Sequence, residues 1–469
     1  MPLVSVIVLG WGGEPYVARC LNALLRQTYA RCEIIVVDNA SPDRTAAIVE
    51  TDFPQVRLIR TPRNLGVAGG NNAGFRAAQG DILILTNVDT EPHPDWVEIL
   101  VRAMQADPTI GVASSKLLYP DGLVQYAGGC INPVQGFAHH AEAGRRDEPD
   151  QAIRDVDFAT GASLAIRRAV LQQIGLEDEA YFPIDYEDAD LSYRARLAGW
   201  RVVYVPAAVS IHFESSTVKP LAPHRVLSSH VGRLRFVAKF WSTDQLTNTF
   251  LPKEMHWLSG LRSSKESVGQ FLSTAMPLVY FKTLLDLNDL VAWRTQLAVG
   301  EAATSRATLT SMLTQLRADC LPLALPGVSD TAEARAAAEA VRFALHAWLP
   351  EEHQDAGNAT LLALQSAQLR VNPHLPIAWP EWPPGTWPKV VAAVQKVTRR
   401  LLRWYIDPLV EQQNEINASL LQSLQLLSQE VLLLRQQASA QEGAPDAGRN
   451  RGTVPRTVSE DVEDSACQE

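Results

Sequence analysis

Closely spaced cysteines are missing from this chain. The five cysteines, Cys20, Cys32, Cys130, Cys320 and Cys467, are odd in number, scattered and never in a CxxC pair. That distribution points away from a structural zinc site or a disulfide framework and fits a reducing compartment. Positive charge is also short. The 42 Lys and Arg against 52 Asp and Glu leave a formal charge of −10, which argues against the broad basic face that nucleic-acid binding needs. No apolar run reaches the roughly 18 residues of a membrane span. The N-terminal "MPLVSVIVLGWGG" has no basic segment ahead of its short apolar run, unlike a secretory signal. The expectation is a cytoplasmic protein, with any contact to the inner face of the cell membrane peripheral.

What is present is a core and a pattern. The hydrophobic fraction is 46%, and 469 residues suffice for more than one domain. Over the first hundred residues, strand and helix patterns alternate. "VSVIVL" (4–9), "EIIVVD" (33–38), "VRLIR" (56–60) and "DILILT" (81–86) read as strands, the first continuous enough to be buried on both faces. "EPYVARCLNALLRQT" (14–28), "DRTAAIVETD" (43–52) and a stretch from about Asn72 read as helices. This β-α-β-α-β order predicts an α/β fold with a wound, mostly parallel sheet, whose ligands sit beyond the carboxyl ends of the strands. By that rule Gly10, Trp11, Asp38, Asn39, Asn87 and Asp89 share one rim. Further on, "YFPIDYEDADLSYRARLAGW" (181–200) enters a helix near Glu187, and "RVVYVPAAVSIH" (201–212) is a strand followed by a turn at Pro206.

Beyond about residue 240 helical patterns dominate. The expected organisation is an α/β domain over 1–240, a helical accessory region over 241–370 and a Pro/Trp-rich connector over 371–388. An amphipathic helical region follows over 389–438, suited to homo-oligomerisation or membrane contact, and then a disordered tail over 439–469. Leu420, Leu424, Leu427, Val431 and Leu434 repeat in a heptad-like way over about two heptads, too few for a coiled coil by pattern alone.

Several residues could carry chemistry. Asp38 ends a strand, where a carboxylate either caps the next helix or accepts hydrogen bonds from a base or ribose. "NLGVAGGNNAG" (64–74) either turns flexibly or lets backbone N–H groups approach a phosphate, although it matches neither GxGxxG nor a Walker A loop. Asn87 and Asp89 flank Val88 and point the same way off an extended backbone. Asp89 is then a turn residue or, given its neighbours on the rim, a ligand for a hard cation shared with substrate phosphates. "DYEDAD" (185–190) crowds four carboxylates into six residues. Glu187, Asp188 and Asp190 cannot all face one way, so one is expected to act as general base. The others would position a substrate hydroxyl or pair with a basic residue such as Arg194. His212 closes the last strand and, taken alone, reads as a satisfied histidine. His139 and His140 invite no functional reading.

Taken together these blocks resemble a family 2 glycosyltransferase of the GT-A fold, closest to a rhamnosyltransferase-like branch. The resemblance rests on "SVIVLGWGG", "LRQTYARCEIIVVDNAS", "RNLGVAGGNNAGFRAAQGDILILTNVDT", "GASLAIRR", "FPIDYEDADLSYRARLAGW" and "PAAVSIH", over about residues 3–240. It implies that Asp38 contacts the nucleotide base or ribose beside Asn39, with Gly10 and Trp11 lining that pocket. Asn64, Gly66, Asn71, Asn72 and Asn87 would lie near the nucleotide-sugar. Asn87-Val88-Asp89 stands at the Asp-x-Asp motif, its first carboxylate replaced by an amide, so that Asp89 and His212 would hold Mg2+ or Mn2+. Asp188 would be the general base, with Gly161, Ala162, Glu187 and Asp190 on the acceptor side. The implied activity is inverting sugar transfer from a dTDP- or UDP-linked donor to a glycan or lipid-linked glycan. A sugar nucleotidyltransferase would need basic residues for a triphosphate, which "LGWGGEPYV" lacks. A scaffold without catalysis is the rival of another kind.

Overall fold

The computed structural model describes residues 1–148, 152–213, 223–263, 272, 276, 279–280, 282–284, 286–299 and 302–320. The connector at 371–388, the amphipathic region at 389–438, the tail at 439–469 and the later part of the 241–370 region lie outside the described residues.

Strands β1 (Val4–Gly10), β2 (Cys32–Asp38), β3 (Arg57–Arg60) and β4 (Ile82–Asn87) are parallel, in the order β3-β2-β1-β4. They are joined by helices α1 (Val17–Leu25), α2 (Thr45–Asp52) and α3 (Gly66–Ala77). β1 is buried along its whole length, and the period of two divides its side chains between the sheet's faces. Val4, Val6 and Val8 join one core with Val17, Leu21 and Leu24 of α1 and with Trp96 and Leu100. Ile7 and Leu9 face α3 instead.

The glycine-rich run is therefore not a loop. It is the first two turns of α3, which begins at Gly66 rather than near Asn72. Glycines at i, i+4 and i+8 share one helix face, and that face lies almost on the sheet. A Cβ on Gly70 would stand 2.4 Å from Leu9 Cδ1, and one on Gly74 would stand 2.3 Å from Ile7 Cγ2. These glycines bring helix and strand close together instead of cradling a phosphate. Gly74→Val should accordingly destabilise the fold by about 1–3 kcal/mol through overpacking, read as a lower urea midpoint. An unchanged midpoint would refute the close-packing role.

The second half of the sheet is mixed. After β5 (Thr90–Pro92) and α4 (Trp96–Ala106) come β6 (Ile110–Leu118), β7 (Val124–Tyr126), β8 (Gly129–Ile131), β9 (Ala138–His140), β10 (Arg154–Asp155) and β11 (Ser163–Arg167). Helices α5 (Arg168–Ile174) and α6 (Glu187–Leu197) precede β12 (Arg201–His212). β11 lies antiparallel between β4 and β6, and β12 runs parallel to β6. Hence β12 points the same way as β4 and delivers His212 to the rim where β4 ends. Pro206 does not end that strand. The ladder absorbs it in an irregularity between Val205 and Val209, as a residue without an N–H requires.

No boundary falls at residue 240. α7 (Pro223–Phe240) and α8 (Leu251–Ser263) belong with the described helices Leu287–Gln296 and Ala302–Cys320 to the same unit as the sheet, Met1–Cys320. Buried cations fasten them. Arg233 makes a bidentate pair with Glu254 (2.6 and 3.0 Å), and Arg294 donates to the carbonyls of Ala238 and Trp241. Among the cysteines, Cys20 and Cys32 are free, whereas Cys130 is disulfide-bonded, a bond that unpaired spacing did not suggest. Among the described residues no helix is long and apolar enough to cross a membrane.

Candidate functional site

The rim forms by register. Gly10 pairs with Asp38 across β1 and β2, and Leu9 pairs with Asn87 across β1 and β4. Two strand spacings therefore separate the ends that carry Asp38 and Asn87, roughly 10 Å. Turns after these strands are laced together: the N–H of Gly12 donates to Ser41 Oγ (3.2 Å), and that of Glu14 donates to Asp43 (3.0 Å). Trp11, 41% exposed, follows Gly10, the register partner of buried Asp38. An uncovered indole at a strand end offers a flat apolar face to a ring.

Past Asn87 the chain turns through Val88 and Asp89 into β5, whose Thr90 lies opposite His212 of β12. This turn is braced from within. Thr90 Oγ1 donates to the Asn87 carbonyl (2.8 Å), and Thr86 Oγ1 donates to the Ala162 carbonyl (3.1 Å). Cys20 lies beneath it, its thiol pushed up to about 12 by burial. The result sets His212 Nε2 3.3 Å from Asp89 Oδ1, and His212 Nδ1 2.7 Å from Gln125 Oε1.

Asp188 lies in the first turn of α6. Its Oδ2 accepts from the Gly161 N–H (2.9 Å) and its Oδ1 from the Ala189 N–H (2.7 Å). Burial nevertheless raises it to about 6, against the pull of those two backbone donors. The residues before it, Asp185 and Tyr186, both have positive φ (79° and 75°) without being glycine, a costly conformation that surrounding structure must hold. The Tyr186 hydroxyl does so by donating to the Gly136 carbonyl (2.9 Å) and accepting from the Ala138 N–H (3.0 Å). Gly161 and Ala162 thus join the two halves, one holding Asp188 and the other the Asn87–Asp89 turn.

Some predicted residues have other partners. Asn39 donates to Asn64 Oδ1 (3.1 Å) and the Gly66 carbonyl (3.0 Å) and accepts from Thr61 and the Leu65 N–H. Its amide is engaged in shaping the 61–66 segment, and Asn64 is engaged with it. Gly66 has φ +72°, and a Cβ there would strike Phe182 and the Pro183 carbonyl, so this glycine serves packing. Asn72 is almost wholly buried and ties itself to Glu177 and Glu179, and Asn71 donates to both Glu177 oxygens (3.1 and 3.3 Å). They are buried helix residues rather than loop residues free to meet a ligand. Asp190 is fully buried between Arg194 (2.6 Å), Lys239 (2.6 Å) and the Tyr181 hydroxyl (3.1 Å), which closes it to an acceptor. The sequence reading had offered Arg194 as a partner for this cluster, and Asp190 is where it goes.

Glu187 is buried with Oε2 lacking a hydrogen-bond partner, and it titrates well above the ordinary range through burial and then the charges of Asp188 and Glu177. Glu177, which sequence reasoning missed, is pushed up to about 8 by burial. Nothing in "IGLEDEA" distinguished it. Gln125 was missed as well, since its value depends on the ring it meets across the sheet.

The Asp89–His212 pair fits a divalent cation. Nε2 of the His212 ring and a carboxylate oxygen of Asp89 face each other 3.3 Å apart, close enough for one hard cation to be shared between them. Among the described residues no cluster of three such side chains occurs.

A wound, mostly parallel sheet with an Asn-Val-Asp turn at the end of its fourth strand and an acidic helix opposite defines a GT-A type domain. Residues 5–175 match the glycosyl transferase family 2 model, and the chain carries a domain of that family. Among relatives, it is 28% identical over 252 residues to the N-acetylglucosaminyl-diphospho-decaprenol L-rhamnosyltransferase of Mycobacterium tuberculosis, covering 49% of this chain and 81% of that one. It is 31% identical over 228 residues to the O-antigen biosynthesis protein RfbC of Myxococcus xanthus, covering 46% of this chain and 18% of that protein. An uncharacterised Sinorhizobium fredii protein is 30% identical over 227 residues, only a quarter (25%) of its own length. A crystal structure of GalNAc-T7 with UDP, GalNAc and Mn2+ superposes at a TM-score of 0.46 with 16% identity, over 67% of this chain and 58% of that one.

Proposed function

We propose that this chain transfers a sugar from a nucleoside-diphosphate donor, dTDP- or UDP-linked, to a hydroxyl of a cell-surface glycan or lipid-linked glycan, with inversion. The observation that carries this reading is the convergence of Asp38, Asp89 and His212 on one rim, with Asp188 joined to it through Gly161 and Ala162.

In this reading Asp38 and Trp11 receive the nucleoside, the carboxylate accepting from base or ribose and the indole covering a ring. Asp89 and His212 would hold Mg2+ or Mn2+, which supplies charge neutralisation to a diphosphate leaving group when bound. Asp188 faces the acceptor. Its carboxylate takes the proton of the attacking hydroxyl as that oxygen bonds the anomeric carbon and the bond from this carbon to the diphosphate oxygen breaks. One displacement inverts the centre, and holding donor and acceptor in line provides much of the acceleration. Glu187 is held toward its neutral form by burial and by the charges of Asp188 and Glu177, which disfavours a second negative charge beside that carboxylate.

The test is incubation of the full chain with a panel of nucleotide sugars and Mg2+ or Mn2+, assaying nucleoside diphosphate release. No release with any donor would sink the enzyme and leave a scaffold. Asp89→Ala should abolish the stimulation of release by Mn2+; stimulation equal to wild type would remove Asp89 from the ion's ligands. The pH profile carries a further expectation. Asp188 is raised to about 6 and acts when ionised, so the rate should fall tenfold per unit below about 6 and level off above. A profile flat down to pH 4.5 would exclude it.

A further inference from the structure

His212 has two ring nitrogens, and the reading above uses only Nε2. Its Nδ1 lies 2.7 Å from the side-chain oxygen of Gln125, and both residues are more than nine-tenths buried, on β12 and β7. An amide oxygen only accepts, so this contact requires the proton on Nδ1, and in the neutral form of the ring the lone pair is then on Nε2. That lone pair faces Asp89 Oδ1 at 3.3 Å.

We propose that Gln125 is a positioning residue: it fixes the tautomer and direction of the His212 ring so that Nε2 is presented with Asp89 to a divalent cation. The inference rests on the metal reading of this pair. The opposite arrangement, with the amide turned over and Nε2 protonated, would give a plain His–Asp hydrogen bond and a poorer ligand. Ligating histidines commonly donate their second N–H to such an acceptor, and loss of that acceptor typically weakens metal binding 10- to 100-fold.

The experiment measures Mn2+ binding by the full chain, followed by the electron paramagnetic resonance of free Mn2+ without donor or turnover. Gln125→Met, similar in size but without the amide oxygen, should weaken binding 10- to 100-fold. Gln125→Glu, which keeps an acceptor oxygen at that position, should bind within threefold of wild type or tighter. An unchanged melting temperature for both variants would separate this from loss of folding. Binding by Gln125→Met within twofold of wild type would overturn the proposal, as would a Glu variant as weak as the Met variant. Independently of any variant's folding, 15N spectra of the metal-free wild-type histidines, with His212→Gln to assign the ring, should show Nδ1 protonated at pH 8. A proton on Nε2 would overturn the proposal. A wild-type chain that binds no Mn2+ yet shows the Nδ1 proton would instead sink the metal reading and leave the orienting contact standing.

Discussion

Asp188→Asn should lower sugar transfer by about two to four orders of magnitude, the range that a positioned general base contributes, while donor binding and folding persist. Asparagine keeps the shape and one acceptor oxygen for the Gly161 N–H, so the loop that joins the two halves of the site has no reason to move. It cannot take a proton. Linkage also says that the fold should not suffer. Burial raises the folded carboxyl to about 6 from an ordinary value of 3.8, so the native state prefers the protonated group. The stability this provides is present below about pH 3.8 and is lost as pH rises through about 6. At pH 8 the wild type carries a poorly solvated charge that asparagine removes. A variant as active as wild type would dismiss the base. A variant that melts early would show that Asp188 is architectural instead.

Two residues along the same run, the opposite outcome is expected. Asp190→Asn should destabilise the unit by about 3–5 kcal/mol, the usual result of removing one member of a buried ion cluster. Asp190 is wholly buried and is the common partner of Arg194 and Lys239, each bonded at 2.6 Å. Lys239 lies on α7 and Arg194 on α6, so the neutral variant leaves buried cations short of charge in the seam between two helices. Asp178, 3.0 Å from Lys239 and also paired with Arg235, gives partial relief but already serves two cations. Adding Lys239→Met should recover part of the loss, because the cost lies in the unpaired charge rather than in the missing contact. Urea unfolding of the single and double variants reads this directly. A single variant within 0.5 kcal/mol of wild type, a threshold typical of surface substitutions, would show that the cluster is not holding α7 in place.

These two carboxylates mark how far the chain could be read without coordinates. "DYEDAD" announced that its acids must divide their work, because like charges so close cannot all ionise without offsetting partners. Which acid is buried in the ion cluster depended on Lys239 of α7, 49 residues beyond Asp190, and no local pattern could assign that. The glycine-rich run failed for a related reason. Glycines before a helix and glycines on a helix look alike in composition, although the spacing of Gly66, Gly70 and Gly74 at four residues carried the helical answer. The composition shift near 240 was read as a border, yet helices that change the sequence's character can still close the same core.

By itself the sequence determined the alternation of strand and helix, the parallel half of the sheet and the rim. These follow from side-chain period, chain direction and the right-handed crossover, all local properties or rules of connection. Only the tertiary structure decided which of the expected polar groups are taken up by neighbours, as Asn39, Asn71, Asn72 and Asp190 are, and that Asp89 and His212 face each other at the rim. The physical reason is that a buried polar side chain must find a partner, and the partner is supplied by whichever segment the fold brings alongside.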